Sequence, residues 1–526
     1  MTRSIRTAQA VFLVLGLAGF AEAREAVVAK RFMVAAAHPL AAEAGAEVLK
    51  RGGSAVDAAV AVQMVLGLVE PESSGIGGGA FLLHWSESEK KLRSYDGRET
   101  AAAAARPDRF MKDGKPMSFL EAAVGGRSVG VPGVLRMLEL AHQRHGRLPW
   151  GGLFDAAIRV ADEGFVPSPK FRAALERAPE LQRYYAGSRV VNREYADTLR
   201  ALARGGARAF YEGEIAKDIV GAVRAHARPG DLTHDDLRSY RALEREPVCG
   251  AYRERRICSM GPPSSGGIAV LQILGLLERT RFARAPPQSA DALHYFAEAG
   301  KLAYADRARY LGDPDFVRVP VKGLLAAAHL DARARLITDK AMPLAPPGDM
   351  ESGTSHFSIV DARGDIVAIT TTIEAAFGSR IMVRGFLLNN QLTDFDFAPG
   401  GPNSVAPGKR PRSSMAPTLV FEGERVRMAL GSPGGSMIIN YVAKALVGTL
   451  DWGLGIQAAI ELPNFGSRNG PTYLEQGMED AARRLQDLGH NVQMIPLQSG
   501  LQGIERVPGG WRGGADPRRE GAVRGE

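Results

Sequence analysis

Residues 351–358 read Glu351 Ser352 Gly353 Thr354 Ser355 His356 Phe357 Ser358, and the junction between Gly353 and Thr354 decides the fold. A hydroxyl residue follows directly on a glycine at the start of a strand-like run. If the Thr354 hydroxyl attacks the preceding carbonyl and the chain parts there, the new terminus carries a nucleophile and an amine base on one residue. Two β-rich runs extend from it, 358–361 and 365–372, separated by Ala362 Arg363 Gly364, a three-residue hairpin loop with glycine where a positive φ is wanted. Pairing Asp361 with Asp365 makes every cross-strand pair sum to one total and sets Thr372 opposite Thr354 on one sheet face. Glu374, two residues further, falls on that face too if the strand continues without a bulge. Spacing alone thus gathers a nucleophile, a second hydroxyl and a carboxylate. His356 shares the face, but no acidic residue at comparable spacing completes a triad, so a structural role is expected for it.

The motifs that follow come in a specific order. They are Thr354 Ser355 His356, Thr372 Ile373 Glu374, Asn389 Asn390 Gln391 Leu392 Thr393 Asp394, Pro411 Arg412 Ser413 Ser414 Met415, and Gly431 Ser432 Pro433 Gly434 Gly435 Ser436. Upstream stand Gly52 Gly53 Ser54 Ala55 Val56 Asp57 Ala58, Gly75 Ile76 Gly77 Gly78 Gly79, Asp96 Gly97 Arg98 Glu99 and Pro262 Pro263 Ser264 Ser265 Gly266 Gly267. With these the chain resembles the γ-glutamyltransferase family, also called γ-glutamyltranspeptidase or glutathione hydrolase, over nearly all of its length after the leader. The resemblance implies an α+β fold, a four-layer αββα sandwich of the N-terminal-nucleophile hydrolase type. It also implies a proenzyme cut between Gly353 and Thr354 into a large chain, 24–353, and a small catalytic chain, 354–526, forming one globular body.

Residue roles follow from the same resemblance. Arg98 would bind the α-carboxylate of a γ-glutamyl donor, helped by the hydroxyls of Ser413 and Ser414. Glu374, Gln391 and Asp394 would receive its α-ammonium, and the backbone N–H groups of Gly434 and Gly435 would form the oxyanion hole. Thr354 would attack the γ-glutamyl carbonyl of glutathione or a related amide with its own α-amine as base, Thr372 orienting the hydroxyl. Water, an amino acid or a peptide would then take the γ-glutamyl group. This chemistry calls for no metal and no organic cofactor.

Two departures from the family pattern stand out. Glu374 occupies a position that is asparagine in many members, which adds negative charge facing the ammonium. The connection 395–412 is shorter than in members that fold a lid over the donor, so an open pocket and a bias toward hydrolysis are expected. Two other readings remain. One is a glutaryl or cephalosporin acylase of the same fold, whose donors lack the ammonium and would leave Glu374 and Asp394 facing no cation. The other is a non-processing protein that binds γ-glutamyl compounds.

Arg3 and Arg6 precede an apolar run at 11–20, and Ala21 Glu22 Ala23 supplies a small-x-small cleavage site. Residues 1–23 therefore read as a secretory signal, too short to span a bilayer, and the expected location is periplasmic or secreted. The only cysteines are Cys249 and Cys258. A two-residue turn at Arg253 and Glu254 pairs them at a non-hydrogen-bonded site, where Cα atoms approach most closely, so they form either a bridge or two buried thiols.

Apolar residues make up 45% of the 526, and no low-complexity linker interrupts them, which predicts one sizeable core. The net charge of +8 is spread along the chain without a basic helix interleaved with aromatics. It predicts a solvated surface and no nucleic-acid partner. Residues 75–79 lack a dinucleotide fingerprint. His142 and His145 share a helix face without a ligand set for a metal, and are expected to face solvent. Helical periodicity marks 38–51, 55–69, 132–145, 150–163, 211–226, 290–309 and 436–450, while strand signals cluster after Thr354. The glycine-rich tail predicts a strand around 513–521 with the last few residues loose.

Overall fold

The computed structural model describes residues 25–343 and 353–526, so the signal peptide expected at 1–23 lies outside the described residues. The hairpin takes the predicted register, Val360 opposite Ile366 and Thr354 opposite Thr372. Asp361 closes its loop, Oδ1 accepting from the backbone N–H groups of Arg363 (2.9 Å) and Asp365 (3.1 Å), and Gly364 supplies a φ of 87°. A residue with a Cβ pays roughly 1 kcal/mol for that left-handed angle.

Around this hairpin an antiparallel sheet runs Ala522–Gly525, Met33–Ala36, Gly353–Val360, Ile366–Glu374, Gly79–Ser86, Lys91–Gly97, Leu243–Arg245. A second one runs Val27–Ala29, Gly510–Ala515, Gln502–Val507, Arg425–Gly431, Thr418–Glu422, Arg255–Ser259, Val248–Tyr252. Side-chain alternation then sorts the core into layers. Phe357, Ile359, Val367 and Ile369 share a core with helices Pro39–Lys50, Ala55–Val69 and Val134–His145. Val360, Ile366 and Ala368 meet Leu419, Phe421, Ala429 and Ile504 between the sheets. Beyond the second sheet, Val420, Met428 and Leu430 pack with helices Gly266–Leu277, Ala290–Tyr310 and Ile438–Leu450. The layers run helix, sheet, sheet, helix, the αββα sandwich expected from the sequence.

Helix Ala55–Val69 is buried at every position, which is why it is apolar all round instead of striped. Its start is fixed by a reciprocal cap: Ser54 Oγ accepts from Asp57 N (3.1 Å) and Asp57 Oδ2 from Ser54 N (2.8 Å).

Several local expectations need correction. Run 150–163 divides into the 3-10 turn Trp150–Leu153 and helix Asp155–Glu163. Run 211–226 divides at Gly213, whose φ is 85°, between Arg208–Tyr211 and Glu214–Ala225. Strands are not confined to the part after Thr354. Gly79–Ser86 pairs with Ile366–Glu374 and is buried throughout, so it shows no alternation to read. The tail is not one strand at 513–521 with a loose end. Ala522–Gly525 pairs with Met33–Ala36 and covers an edge that would otherwise expose unpaired N–H and C=O groups. His142 and His145 do not face solvent: His142 Nε2 donates to Leu148 O (3.0 Å), and His145 stacks on His84 at 3.8 Å beside the Tyr95 hydroxyl. Cys249 and Cys258 are joined by a disulfide, their Cα atoms 4.1 Å apart, and turn residues Arg253 and Glu254 take φ of 47° and 61°. No helix among the described residues is long and apolar enough to cross a membrane.

Candidate active site

Thr354 stands at the start of its strand on the face turned toward the second sheet. Its Oγ1 donates to Thr372 Oγ1 at 3.3 Å. Thr372 Oγ1 donates onward to the carbonyl oxygen of Gly353 at 2.6 Å and accepts from Glu374 N at 2.8 Å. The peptide bond preceding Thr354 therefore has a hydroxyl donor fixed on its carbonyl. Gly353 has no space for a side chain, since a Cβ would lie 2.5 Å from Glu72 O. Arg519, 8% exposed, donates from Nη1 to Thr354 O (3.0 Å) and from Nε to Ser499 O (3.2 Å).

At the same point the hairpin register slips. Gly353 opposes Glu374, which leaves Ile373 as an extra residue. Glu374 takes a φ of 80°, a left-handed angle uncommon for a residue with a Cβ. With that turn its carboxyl group still lines the same cavity as Thr354 and Thr372, although a bulge interrupts the simple alternation.

The cavity measures ≈ 240 Å³ and gathers Arg98, Thr354, Thr372, Glu374, Gln391, Asp394, Ser413, Ser414 and Gly435. Gly434 precedes Gly435 with a φ of 127°, and a Cβ there would lie 2.5 Å from the Tyr441 ring. Arg98 is fully buried. It donates to Pro411 O and Arg412 O at 3.1 Å each and pairs with Asp394, while its Nη1 makes no hydrogen bond among the described residues and lies 3.8 Å from Glu99. Gln391 Nε2 donates to Asp394 Oδ2 (2.7 Å), and Asn390 Nδ2 to Glu374 Oε2 (2.5 Å). Two buried oxygens, Glu374 Oε1 and Gln391 Oε1, have no hydrogen-bond partner among the described residues. Each such orphan costs about 1–3 kcal/mol, which a ligand bringing N–H donors would recover.

Burial, and then the charge of Asp394, raises the Glu374 carboxyl well above the ordinary range. Burial likewise pushes Glu99 up to about 8. The two serines are set as donors. Ser413 Oγ accepts from Met415 N (3.0 Å) and Ser414 Oγ from Arg307 Nη2 (2.9 Å), so each hydroxyl proton remains to be given away. His356 is fully buried against Gly431, bonded to Thr370 Oγ1 (2.9 Å) and Ser358 Oγ (3.1 Å), and burial lowers its pKa to about 3. It is a neutral packing residue.

Sequence reading missed Tyr304, Arg307, Ser436 and Arg468 on the cavity wall, and Arg519 behind Thr354. Isolated arginines carry no periodic or motif signal. A buried group of His294, Glu298 and His490 has the ligand types of a metal site. Its atoms are already engaged: His294 Nδ1 with His490 Nε2 (2.7 Å), His294 Nε2 with Thr338 O (2.7 Å), His490 Nδ1 with Thr472 Oγ1 (2.8 Å) and Glu298 with the Lys301 ammonium (2.7 Å). The group works as a hydrogen-bonded structural network.

Comparison with known proteins identifies the family and the fold. The Gamma-glutamyltranspeptidase family model matches residues 41–526. A glutathione hydrolase proenzyme of Bacillus subtilis (strain 168) is 37% identical, the match covering 95% of this chain and 92% of the relative. An acylase ACY 1 proenzyme of Pseudomonas sp. (strain V22) is 34% identical over 95% of this chain and 94% of its own length. Among solved structures, a cephalosporin acylase from Bacillus halodurans superposes with a TM-score of 0.88 at 28% identity, covering 98% of this chain and 99% of that one.

Proposed function

The chain belongs to the γ-glutamyltranspeptidase family and has the N-terminal-nucleophile hydrolase fold; from that premise we propose that it cuts itself between Gly353 and Thr354 and then cleaves γ-glutamyl amides such as glutathione. The observation that carries this reading is the hydroxyl chain from Thr354 through Thr372 to Gly353 O, at the wall of a cavity holding the fully buried Arg98 guanidinium and orphaned acceptor oxygens.

In maturation the Thr354 hydroxyl adds to the Gly353 carbonyl carbon, and Thr372 steadies the oxygen as it gains charge. The C–N bond to Thr354 breaks, its nitrogen takes the hydroxyl proton, and water hydrolyses the ester left behind. The products are a large chain ending at Gly353 and a small chain, 354–526, beginning with a free amine.

That amine, with a reference pKa of about 7.7–8.0, accepts the Thr354 hydroxyl proton as the oxygen attacks the donor's γ-carbonyl. Gly434 and Gly435 N–H groups hold the oxyanion, the leaving amine takes the proton, and a γ-glutamyl ester forms on Thr354. Water or an acceptor amine resolves it. Arg98, Ser413 and Ser414 hold the α-carboxylate, while Glu374, Gln391 and Asp394 hold the ammonium, whose N–H groups match the orphaned oxygens. Connection 395–412 is folded down by Asn403 Nδ2 to Asp394 O (2.7 Å) and Lys409 Nζ to Pro402 O (2.8 Å), and is tied to the body by Gly408 N to Ala101 O (3.1 Å) and Arg410 N to Asp313 Oδ2 (2.8 Å). This supports a lidless pocket and a bias toward hydrolysis. The leader at 1–23 and the disulfide support export.

The acylase relatives favour a second reading, in which the donor is a glutaryl amide. Such a donor leaves Glu374 and Asp394 facing no cation. The test is hydrolysis of γ-glutamyl and glutaryl p-nitroanilides by the purified protein. A preference of about 10²-fold or more in kcat/KM for the γ-glutamyl compound is expected, from the cost of unpaired buried polar groups. Equal or better turnover of the glutaryl compound would overturn the γ-glutamyl reading.

A further inference from the structure

The cavity is lined by four arginines, Arg98, Arg307, Arg412 and Arg468, against three acids, Glu374, Asp394 and Asp396. Arg98 pairs with Asp394 and Arg412 with Asp396 at 3.2 Å. Arg307 forms no ion pair among the described residues and is occupied otherwise. It donates to Ser265 Oγ (2.8 Å) and Ser414 Oγ (2.9 Å), and so aims the Ser414 hydroxyl.

Arg468 also forms no ion pair among the described residues, but its surroundings differ. Nη1 donates to Ser436 Oγ (2.8 Å) and Nη2 to the Tyr473 hydroxyl (3.3 Å), with the guanidinium 5.1 Å from the Tyr473 ring centre. Nε is buried without a hydrogen-bond partner among the described residues. Ser436 directly follows Gly435, so this guanidinium enters the cavity beside the glycine that faces the reacting carbonyl. Arg98 enters elsewhere, fixed to residues 394, 411 and 412. With one end of a donor held by Arg98 and its γ-carbonyl at Thr354, the amine portion is left to the rest of the cavity wall, on which Arg468 stands beside Gly435.

Resting on the γ-glutamyl reading, we propose that Arg468 binds a carboxylate on the amine portion of the substrate, so that donors whose leaving amine is anionic are preferred. Peptide C-termini and further glutamate residues carry such a group. A planar guanidinium held at two N–H groups and lacking a counter-ion is suited to a carboxylate in a way a lysine is not.

The test compares γ-glutamyl-p-nitroanilide with γ-glutamyl-3-carboxy-4-nitroanilide, which differ by one carboxylate on the leaving amine. The wild-type protein should favour the carboxylated donor in kcat/KM by about tenfold. Arg468→Ala should lose about tenfold more on the carboxylated donor than on the neutral one, and Arg468→Lys should keep part of the preference. The intact two-chain pattern on a gel checks that each variant is folded. Equal losses on both donors, or no preference in the wild type, would overturn the assignment. Turnover of neither donor by the wild-type protein would instead overturn the γ-glutamyl reading, and this inference with it.

Discussion

The Thr372 hydroxyl lies 2.6 Å from the carbonyl oxygen of Gly353 and donates to it, although 19 positions separate the two residues. The same oxygen atom of Thr372 accepts from Thr354 Oγ1. One side chain therefore touches both partners of the proposed cut. Thr372→Val should slow the appearance of the 354–526 chain by about 10²–10³-fold, the usual cost of one donor to a developing oxyanion. Thr372→Ser should retain most of the rate. Densitometry of the two chains during incubation of freshly purified protein measures both.

Glu374 should act with opposite sign on stability and on binding. Because its folded-state pKa is raised, the folded protein holds this proton more tightly than the unfolded chain. Its favourable contribution is complete below the ordinary value near 4.3 and is lost as pH rises toward the folded value. Glu374→Gln should thus raise the Tm at pH 7.5, with the gain vanishing near pH 4. The same change removes the carboxylate that an ammonium would draw into its ionised form on binding, and should raise KM for γ-glutamyl donors about tenfold. Thermal unfolding at both pH values and initial-rate kinetics check the pair of effects.

Arg519 holds the backbone carbonyl of Thr354, the proposed nucleophile, at 3.0 Å. A charged donor of this kind is worth about 1.5–3 kcal/mol. Arg519→Ala should slow maturation about tenfold or more, with Arg519→Lys intermediate. An unchanged rate of chain separation in Arg519→Ala would count against a positioning role.

The disulfide joins the edge strand Val248–Tyr252 of the second sheet to its neighbour Arg255–Ser259, whereas the Thr354 hairpin lies in the first sheet, and Cys249 is exposed to reductant. Its loop is short. Reduction should lower stability by about 2–3 kcal/mol, read from denaturant unfolding, and leave turnover of γ-glutamyl-p-nitroanilide unchanged.

The hairpin could be read in advance because a three-residue loop and strict alternation leave one register, and Thr354 and Thr372 follow from it by counting. The lining of the cavity was legible from ordered motifs, which bring Arg98 and Asp394 together across 296 positions. The bulge at Ile373 was not, because it is held from outside the hairpin: Ile373 N donates to Ser73 O at 3.2 Å. Strand Gly79–Ser86 was hidden by burial on both faces, and the terminal strand by its glycines and its dependence on the edge Met33–Ala36. Arg307, Arg468 and Arg519 stayed invisible for a simpler reason. The role of a single arginine is set by partners distant in sequence, as Arg519 is by Thr354, 165 positions away.

The central claim is that Thr354 is both the cut site and the nucleophile. Intact-mass spectrometry of the purified protein tests it most directly, with Thr354→Ala as the paired sample. Two chains are expected in the wild type, the smaller matching residues 354–526 with a free N-terminal threonine, and one uncut, inactive chain in Thr354→Ala. A wild-type protein that stays in one piece while turning over γ-glutamyl donors, or a small chain beginning at any other residue, would contradict it.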